Sequence, residues 1–227
     1  MPVFQLTDAI LFPPPELARE DGLLAVGGDL SVPRLLLAYQ LGIFPWYSPG
    51  EPILWWAPDP RCVLFPDEFH LSRRSERLRR QERFTITFDT AFTQVIGDCA
   101  ALRADEGNGT WIDEAMQAAY TELHRLGHAH SVECWQGGEL VGGLYGVALG
   151  GIFFGESMFS RVTNASKLAL AALVERLMAW EFDLIDCQVA SNHLIRLGAR
   201  TIAGTEFQQR LAAALGKEER RGGWQRD

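Results

Sequence analysis

A helix that is apolar nearly all round must be buried on more than one side, and a layered fold offers it such a place. The stretch from Asn164 or Ser166 to Ala179 reads as that helix. The block 130–160 before it holds three strand candidates, the first two joined by the hairpin turn Gln136-Gly137-Gly138-Glu139. An apolar strand at 183–188 follows it. Upstream, a charged helix near 72–81 precedes the strand Phe84-Thr85-Ile86-Thr87-Phe88, and Asp89 can cap a helix carrying Phe92, Val95 and Ile96. From Asp113, the residues Met116, Tyr120, Leu123 and Leu126 recur at helical spacing until Gly127 ends the run. Residues Asn192 to Ala199 read as a short helix, with a last strand or helix beyond. This order predicts an α+β protein with its helices laid on a mixed sheet.

Residues 1–65 differ in character, being rich in Pro, Trp and Gly. Pro13-Pro14-Pro15 must be extended. Gly27-Gly28-Asp29-Leu30-Ser31 reads as a turn into a short helix, with Ser31 as N-cap, Pro33 as an early helical residue and Gly42 as the stop. The division predicted is a small N-terminal α/β domain over 1–65 and a catalytic domain over 66–227. An Arg/Gly-rich tail from Lys217 is expected to be mobile.

Chemistry enters where polar groups interrupt apolar strands. Phe153-Phe154-Gly155-Glu156-Ser157-Met158-Phe159-Ser160 places a carboxylate inside an apolar run, and Leu184-Ile185-Asp186-Cys187-Gln188 ends another with an acid and an amide. Asp186 and Gln188 are two residues apart, so strand alternation predicts a shared face, with Cys187 turned away as a buried thiol. A charged group in such a place has a partner or a task.

Composition narrows the classes. A chain of 227 residues can bury a sizeable core. No apolar run reaches the ~18 residues needed to span a bilayer, and Met1-Pro2-Val3-Phe4-Gln5 lacks the features of a signal peptide, so a cytoplasmic protein is expected. The cysteines Cys62, Cys99, Cys134 and Cys187 are scattered and read as free thiols. His124 and His128 are four apart, but Gly127 separates them and no metal site is expected. The net charge of −8 argues against coating nucleic acid by bulk electrostatics. Against that background, Arg73, Arg74, Arg77, Arg79, Arg80 and Arg83 fall within eleven residues, a patch suited to a polyanion.

The element order is that of the acyl-CoA N-acyltransferase-like (GNAT) fold, whose acetyltransferases hold pyrophosphate on a glycine-rich turn before the long helix. The corresponding Ser160-Arg161-Val162-Thr163-Asn164-Ala165-Ser166 contains no glycine, so CoA is not the expected donor. No nucleotide-binding glycine motif appears either, which calls for a donor already activated, with no cofactor.

The two polar strands, together with Gly42-Ile43-Phe44-Pro45-Trp46-Tyr47-Ser48-Pro49-Gly50 and Trp55-Trp56-Ala57-Pro58-Asp59-Pro60-Arg61, closely resemble the bacterial leucyl/phenylalanyl-tRNA–protein transferases. The resemblance runs from about Phe12 to Leu211. It implies the GNAT-like mixed sheet for the C-terminal domain. It also implies transfer of Leu or Phe from aminoacyl-tRNA to proteins beginning with Arg or Lys, the N-end rule tagging for degradation. By this resemblance Trp46 and Trp111 hold the 3′-terminal adenosine, and Leu144, Phe153, Met158, Leu173, Leu177 and Ile185 form the slot for the acyl side chain. Tyr120 joins the substrate-binding set. Asp186 and Gln188 match the mechanistic residues, with Glu156 in the same site. Arg73, Arg74, Arg77 and Arg80 are the expected tRNA contacts. A monomer is expected, with no membrane association.

Overall fold

In the computed structural model, which describes residues 3–81, 83–103 and 110–225, the chain forms two sheets. The first holds β1 (Phe4–Leu6), β2 (Leu23–Gly27), β3 (Phe44–Pro45) and β4 (Leu54–Trp56) in the order β1-β2-β4-β3. Helix α1 (Val32–Gln40) crosses between β2 and β3. It begins after Ser31 with Pro33 in its first turn, as expected, although the Ser31 side chain makes no capping bond. Gly42 ends it at φ 74°, and a Cβ there would come within 2.7 Å of the Phe207 ring, so both backbone and space require glycine.

The second sheet is built from β5 (Arg61–Leu64), β6 (Thr85–Phe88), β7 (Ala129–Gln136), β8 (Glu139–Leu149), β9 (Ile152–Ser160), β10 (Leu184–Gln188) and β11 (Arg200–Ile202). Their order is β11-β5-β10-β9-β8-β7-β6. Among the described residues of this sheet only β9 and β10 pair in parallel, and the connection between them is α5 (Ala165–Ala179), as a parallel crossover requires. The other helices are α2 (Arg73–Arg79), α3 (Phe92–Arg103), α4 (Glu114–Arg125), α6 (Asn192–Ile195) and α7 (Gly204–Leu215). Strand β5 lies before the boundary drawn at residue 65, yet it is inserted between β11 and β10 in the larger sheet.

Each face of the larger sheet carries its own core. Phe153 points into the one that buries α5 from Ala165 to Leu177. Phe154, its neighbour in sequence, points into the other, formed with α3, α4 and α7 and continuous with the N-terminal sheet through Tyr39, Phe44 and Trp55. The long apolar helix is therefore buried as its composition demands, with Glu175 and Met178 left at the surface.

The polar stretch from Ala104 to Gly109, expected as a loop, lies outside the described residues. The tail expected to be mobile is instead anchored. Trp224 is 3% exposed, stacks on His130 at 3.9 Å, and donates its backbone N–H to Asp89 Oδ2 at 2.6 Å. One aromatic supplies the apolar area that the Arg/Gly composition around it lacks. Among the described residues no helix is long and apolar enough to cross a membrane.

Candidate active site

Two irregularities in strand register build the site. Strands β9 and β10 pair only from Ile152–Phe154 against Leu184–Asp186, although β9 runs on to Ser160. Past that point they part. On the other side of β9, Tyr145 pairs with Ser157 and Gly146 with Gly155, which leaves Glu156 as an extra residue. On β10, Asp186 pairs with Val63 and Gln188 with Cys62, which leaves Cys187 extra. Both are β-bulges, and bulges re-aim the side chains around them. Gly146 is required beside the first, because a Cβ there would lie 2.2 Å from the Phe154 carbonyl oxygen.

The parting strands open a cavity of about 630 Å³. Its apolar part rests on two cross-strand pairs, Leu144–Met158 and Phe153–Ile185, with Leu170 and Leu173 added from α5. Strict alternation would put Phe153 and Met158, five residues apart, on opposite faces; the bulge at Glu156 brings them to the same one. Trp46 and Trp111 stand at the mouth with ring centroids 5.9 Å apart in an edge-to-face arrangement, and Trp46 is 42% exposed. Their segments are tied together, since the Tyr47 hydroxyl donates to Asp113 Oδ2 at 3.1 Å and Trp56 Nε1 donates to the Trp46 carbonyl at 2.7 Å.

At the split between the strands, Gln188 Nε2 donates to Glu156 Oε1 at 3.0 Å. Tyr120 donates its hydroxyl to Glu156 Oε2 at 3.1 Å, and Tyr39 hydrogen-bonds to Tyr120 behind it. Burial pushes the Glu156 carboxyl up to about 7, and the negative charge of Asp186 adds to the rise. The hydrogen bonds from Tyr39, Tyr120 and Gln188 oppose it. The same burial, with the Glu156 charge beside them, raises both tyrosine hydroxyls well above their ordinary value. A carboxyl that titrates near neutrality can gain or lose a proton at working pH. With its NH₂ committed to Glu156, Gln188 keeps its carbonyl oxygen for a ligand in the cavity.

Asp186 does not share this face. It is 0% exposed and accepts two hydrogen bonds from Arg61, Nε to Oδ1 at 2.8 Å and Nη2 to Oδ2 at 2.6 Å. Oδ1 also accepts from the Gln188 backbone N–H at 2.9 Å, where Gln188 adopts φ 62°. The bulge at Cys187 is what breaks the expected alternation, and it leaves Cys187 partly exposed in the cavity wall instead of turned away. Asp186 thus bears on the cavity through the backbone of Gln188 and through its charge on Glu156. Arg61 was not anticipated, although an arginine that opens the apolar run Cys62-Val63-Leu64-Phe65 is the natural counterpart of an acid inside Leu184–Cys187. Its guanidinium is held 4.9 Å from the Phe44 ring centroid and 4.7 Å from that of Phe207.

The cavity therefore gathers Glu156, Gln188, Trp46, Trp111, Leu144, Phe153, Met158, Leu173 and Ile185. Tyr120 stands behind Glu156, and Leu177 lies one turn further along α5 in the core, away from the cavity. Tyr39 and Leu170 belong with the site on geometry; the helical run of apolar residues around each masked them. His124 Nδ1 donates to the Ala129 carbonyl at 2.8 Å, and the ring stacks on Phe92. On α2, Arg79 pairs with Glu76 and Glu175 and Arg80 with Glu76, whereas Arg74 and Arg77 line a separate groove.

Comparison with known proteins agrees along the chain. The family model described as leucyl/phenylalanyl-tRNA protein transferase matches residues 63–212, and the model of that transferase's N-terminal domain matches residues 28–59. A leucyl/phenylalanyl-tRNA–protein transferase of Desulfatibacillum aliphaticivorans is 58% identical over 224 residues, covering 99% of this chain and 96% of that protein. One from Pseudomonas fluorescens Pf-5 is 60% identical over 202 residues, 88% of this chain and 89% of that protein. Among solved structures, a GCN5-related N-acetyltransferase from Kribbella flavida aligns with a TM-score of 0.39 at 13% identity, over 74% of this chain and 60% of that one.

Proposed function

Because the chain belongs to the leucyl/phenylalanyl-tRNA–protein transferase family and is an aminoacyltransferase, we propose that its cavity receives the aminoacyl end of a charged tRNA and passes Leu or Phe to a protein beginning with Arg or Lys. The observation that carries this reading is the Gln188–Glu156 hydrogen bond at the end of an apolar slot, where β9 and β10 part. In the reaction, the α-amine of the acceptor attacks the ester carbonyl. The new C–N bond forms, the bond to the ribose oxygen breaks, and one proton passes from nitrogen to the departing oxygen. An α-amine has a pKa near ~8, so roughly a tenth is neutral at pH 7. Much of the acceleration is then positioning, worth up to ~7–11 kcal/mol in favourable cases.

Gln188 has no useful pKa. Its carbonyl accepts a hydrogen bond from the attacking amine and aims the lone pair. Glu156, ionised, stabilises the ammonium that develops and takes its proton. Asp186 and Arg61 position Gln188 through its backbone. The slot lined by Leu144, Phe153, Met158, Leu173 and Ile185 suits Leu and Phe, which are unbranched at Cβ, and the flexible Met158 lets it fit either shape. Arg73, Arg74, Arg77 and Arg80 serve the tRNA.

The direct test is transfer of radiolabelled Leu and Phe from charged tRNA to a protein beginning with Arg, beside one beginning with Ala. Labelling of the Arg-starting protein alone is expected; equal labelling of both, or of neither, refutes the reading. A second expectation concerns the mouth. Stacking of a base on an aromatic side chain contributes ~1–3 kcal/mol, so Trp46→Ala should raise KM for charged tRNA by about tenfold or more. Steady-state kinetics with an unchanged KM would remove Trp46 from the adenosine site.

A further inference from the structure

The arginines of α2 and the reaction cavity are separate places, and what lies between them is cationic. Arg74, Arg77 and Arg83 line a groove of about 380 Å³ whose far wall is Gln136, Thr163 and Asn164. Asn164 is the residue before α5, and its Oδ1 accepts a hydrogen bond from Lys167 Nζ at 3.1 Å. Lys167 in turn lies close enough to His193, on α6, for its charge to depress the imidazole, as does that of Arg196. His193 lines the reaction cavity together with Ser191 and Gln188. Among the described residues, Arg74, Arg77, Lys167 and Arg196 have no carboxylate partner, in contrast to Arg79 and Arg80. In a chain of net charge −8, unpaired cations in series from a groove to a cavity mark the path of a polyanion.

We propose that Asn164, Lys167, His193 and Arg196 form a phosphodiester-binding track that carries the single-stranded 3′ end of the tRNA from the α2 groove into the reaction cavity. The proposal rests on the transferase reading above. Lys167 and Arg196 supply charge to the phosphates, and Asn164 supplies its amide. His193, exposed at the edge of the cavity it lines, contributes a hydrogen bond and a ring face. Electrostatic contacts of this kind fix register without reading bases, which suits a track leading to a common 3′ terminus.

The test compares two donors, full-length charged tRNA and an aminoacyl-adenosine that lacks the preceding phosphates. For Lys167→Gln/Arg196→Gln, KM for charged tRNA should rise about tenfold more than KM for the aminoacyl-adenosine. The slope of log KM against log salt should fall by about 1.4, since each phosphate contact on a single strand contributes ~0.7. Lys167→Arg should retain the wild-type slope, and each single Gln variant should lose about half of the effect. Equal rises in KM for both donors, or a rise confined to the acceptor protein, would overturn the track, and so would a wild-type salt slope in the double variant. Absence of transfer by the wild type from either donor would instead overturn the transferase reading itself.

Discussion

Asp186→Ala is expected to lower the unfolding free energy by about 3–5 kcal/mol, because it strands a buried charge. Arg61 is 1% exposed and packed between the rings of Phe44 and Phe207, and its guanidinium donates two hydrogen bonds to Asp186. Truncating the acid leaves Arg61 with neither water nor counter-ion. Replacing both partners, Arg61→Met with Asp186→Leu, should recover much of the loss, since a buried pair is about break-even against apolar residues of similar volume. Urea unfolding measures both. Activity separates the positioning role from the structural one: the double variant, though stable, still lacks the acceptor for the Gln188 N–H, so its kcat should remain low. A stable double variant with wild-type kcat would mean that Gln188 holds its conformation unaided.

Glu156→Gln is expected to reduce kcat/KM by about a hundredfold or more, the usual scale for losing a positioned proton acceptor. In the wild type, kcat/KM should climb through about pH 7 as Glu156 ionises. The variant should lose that limb and keep only the rise near ~8 that belongs to the acceptor's α-amine. Stability should move the opposite way. The folded protein holds the Glu156 proton more tightly than the unfolded chain, whose carboxyl titrates near ~4.3. The stability this proton confers is complete below that value and is lost as pH rises through about 7. Glu156→Gln should therefore gain in Tm relative to wild type between pH 5 and pH 8. Identical pH profiles of kcat/KM in the two proteins would remove Glu156 from the chemistry.

Much of this architecture was legible because periodicity and burial agree. The helix after Asn164 could only be a covered one, and the three strands before it, with the strand after it, leave little choice of layer. The polar interruptions at Glu156 and Gln188 pointed to the cavity for a simple reason, that charge and amide do not enter apolar strands idly. What escaped the sequence was register. Alternation assigns faces only while a ladder is regular, and both strands are bulged at the residues in question. Asp186 was accordingly placed beside Gln188 when it lies behind it. Arg61 was missed because its partner is 125 residues away. Trp224 was missed because its neighbours in sequence are those of a solvated tail. Tyr39 looks like an ordinary core residue until α1 and α4 bring its hydroxyl to that of Tyr120, which the family resemblance had already placed in the substrate-binding set.

The extra residue in β9 has a consequence for how this chain can vary. Met158 shares a face with Phe153 because the segment from Phe154 to Met158 is one residue longer than its partner on β8. Exchanging a side chain in that segment alters one contact. Deleting one residue between Phe154 and Met158 would restore regular pairing and turn Met158 out of the slot, toward the face of Tyr39 and Tyr120. Substitution can therefore vary the cavity lining one contact at a time, while a change of length removes Met158 from it in a single step. The spacing between these two strands is a stricter specification of the active centre than any one of the residues lining it.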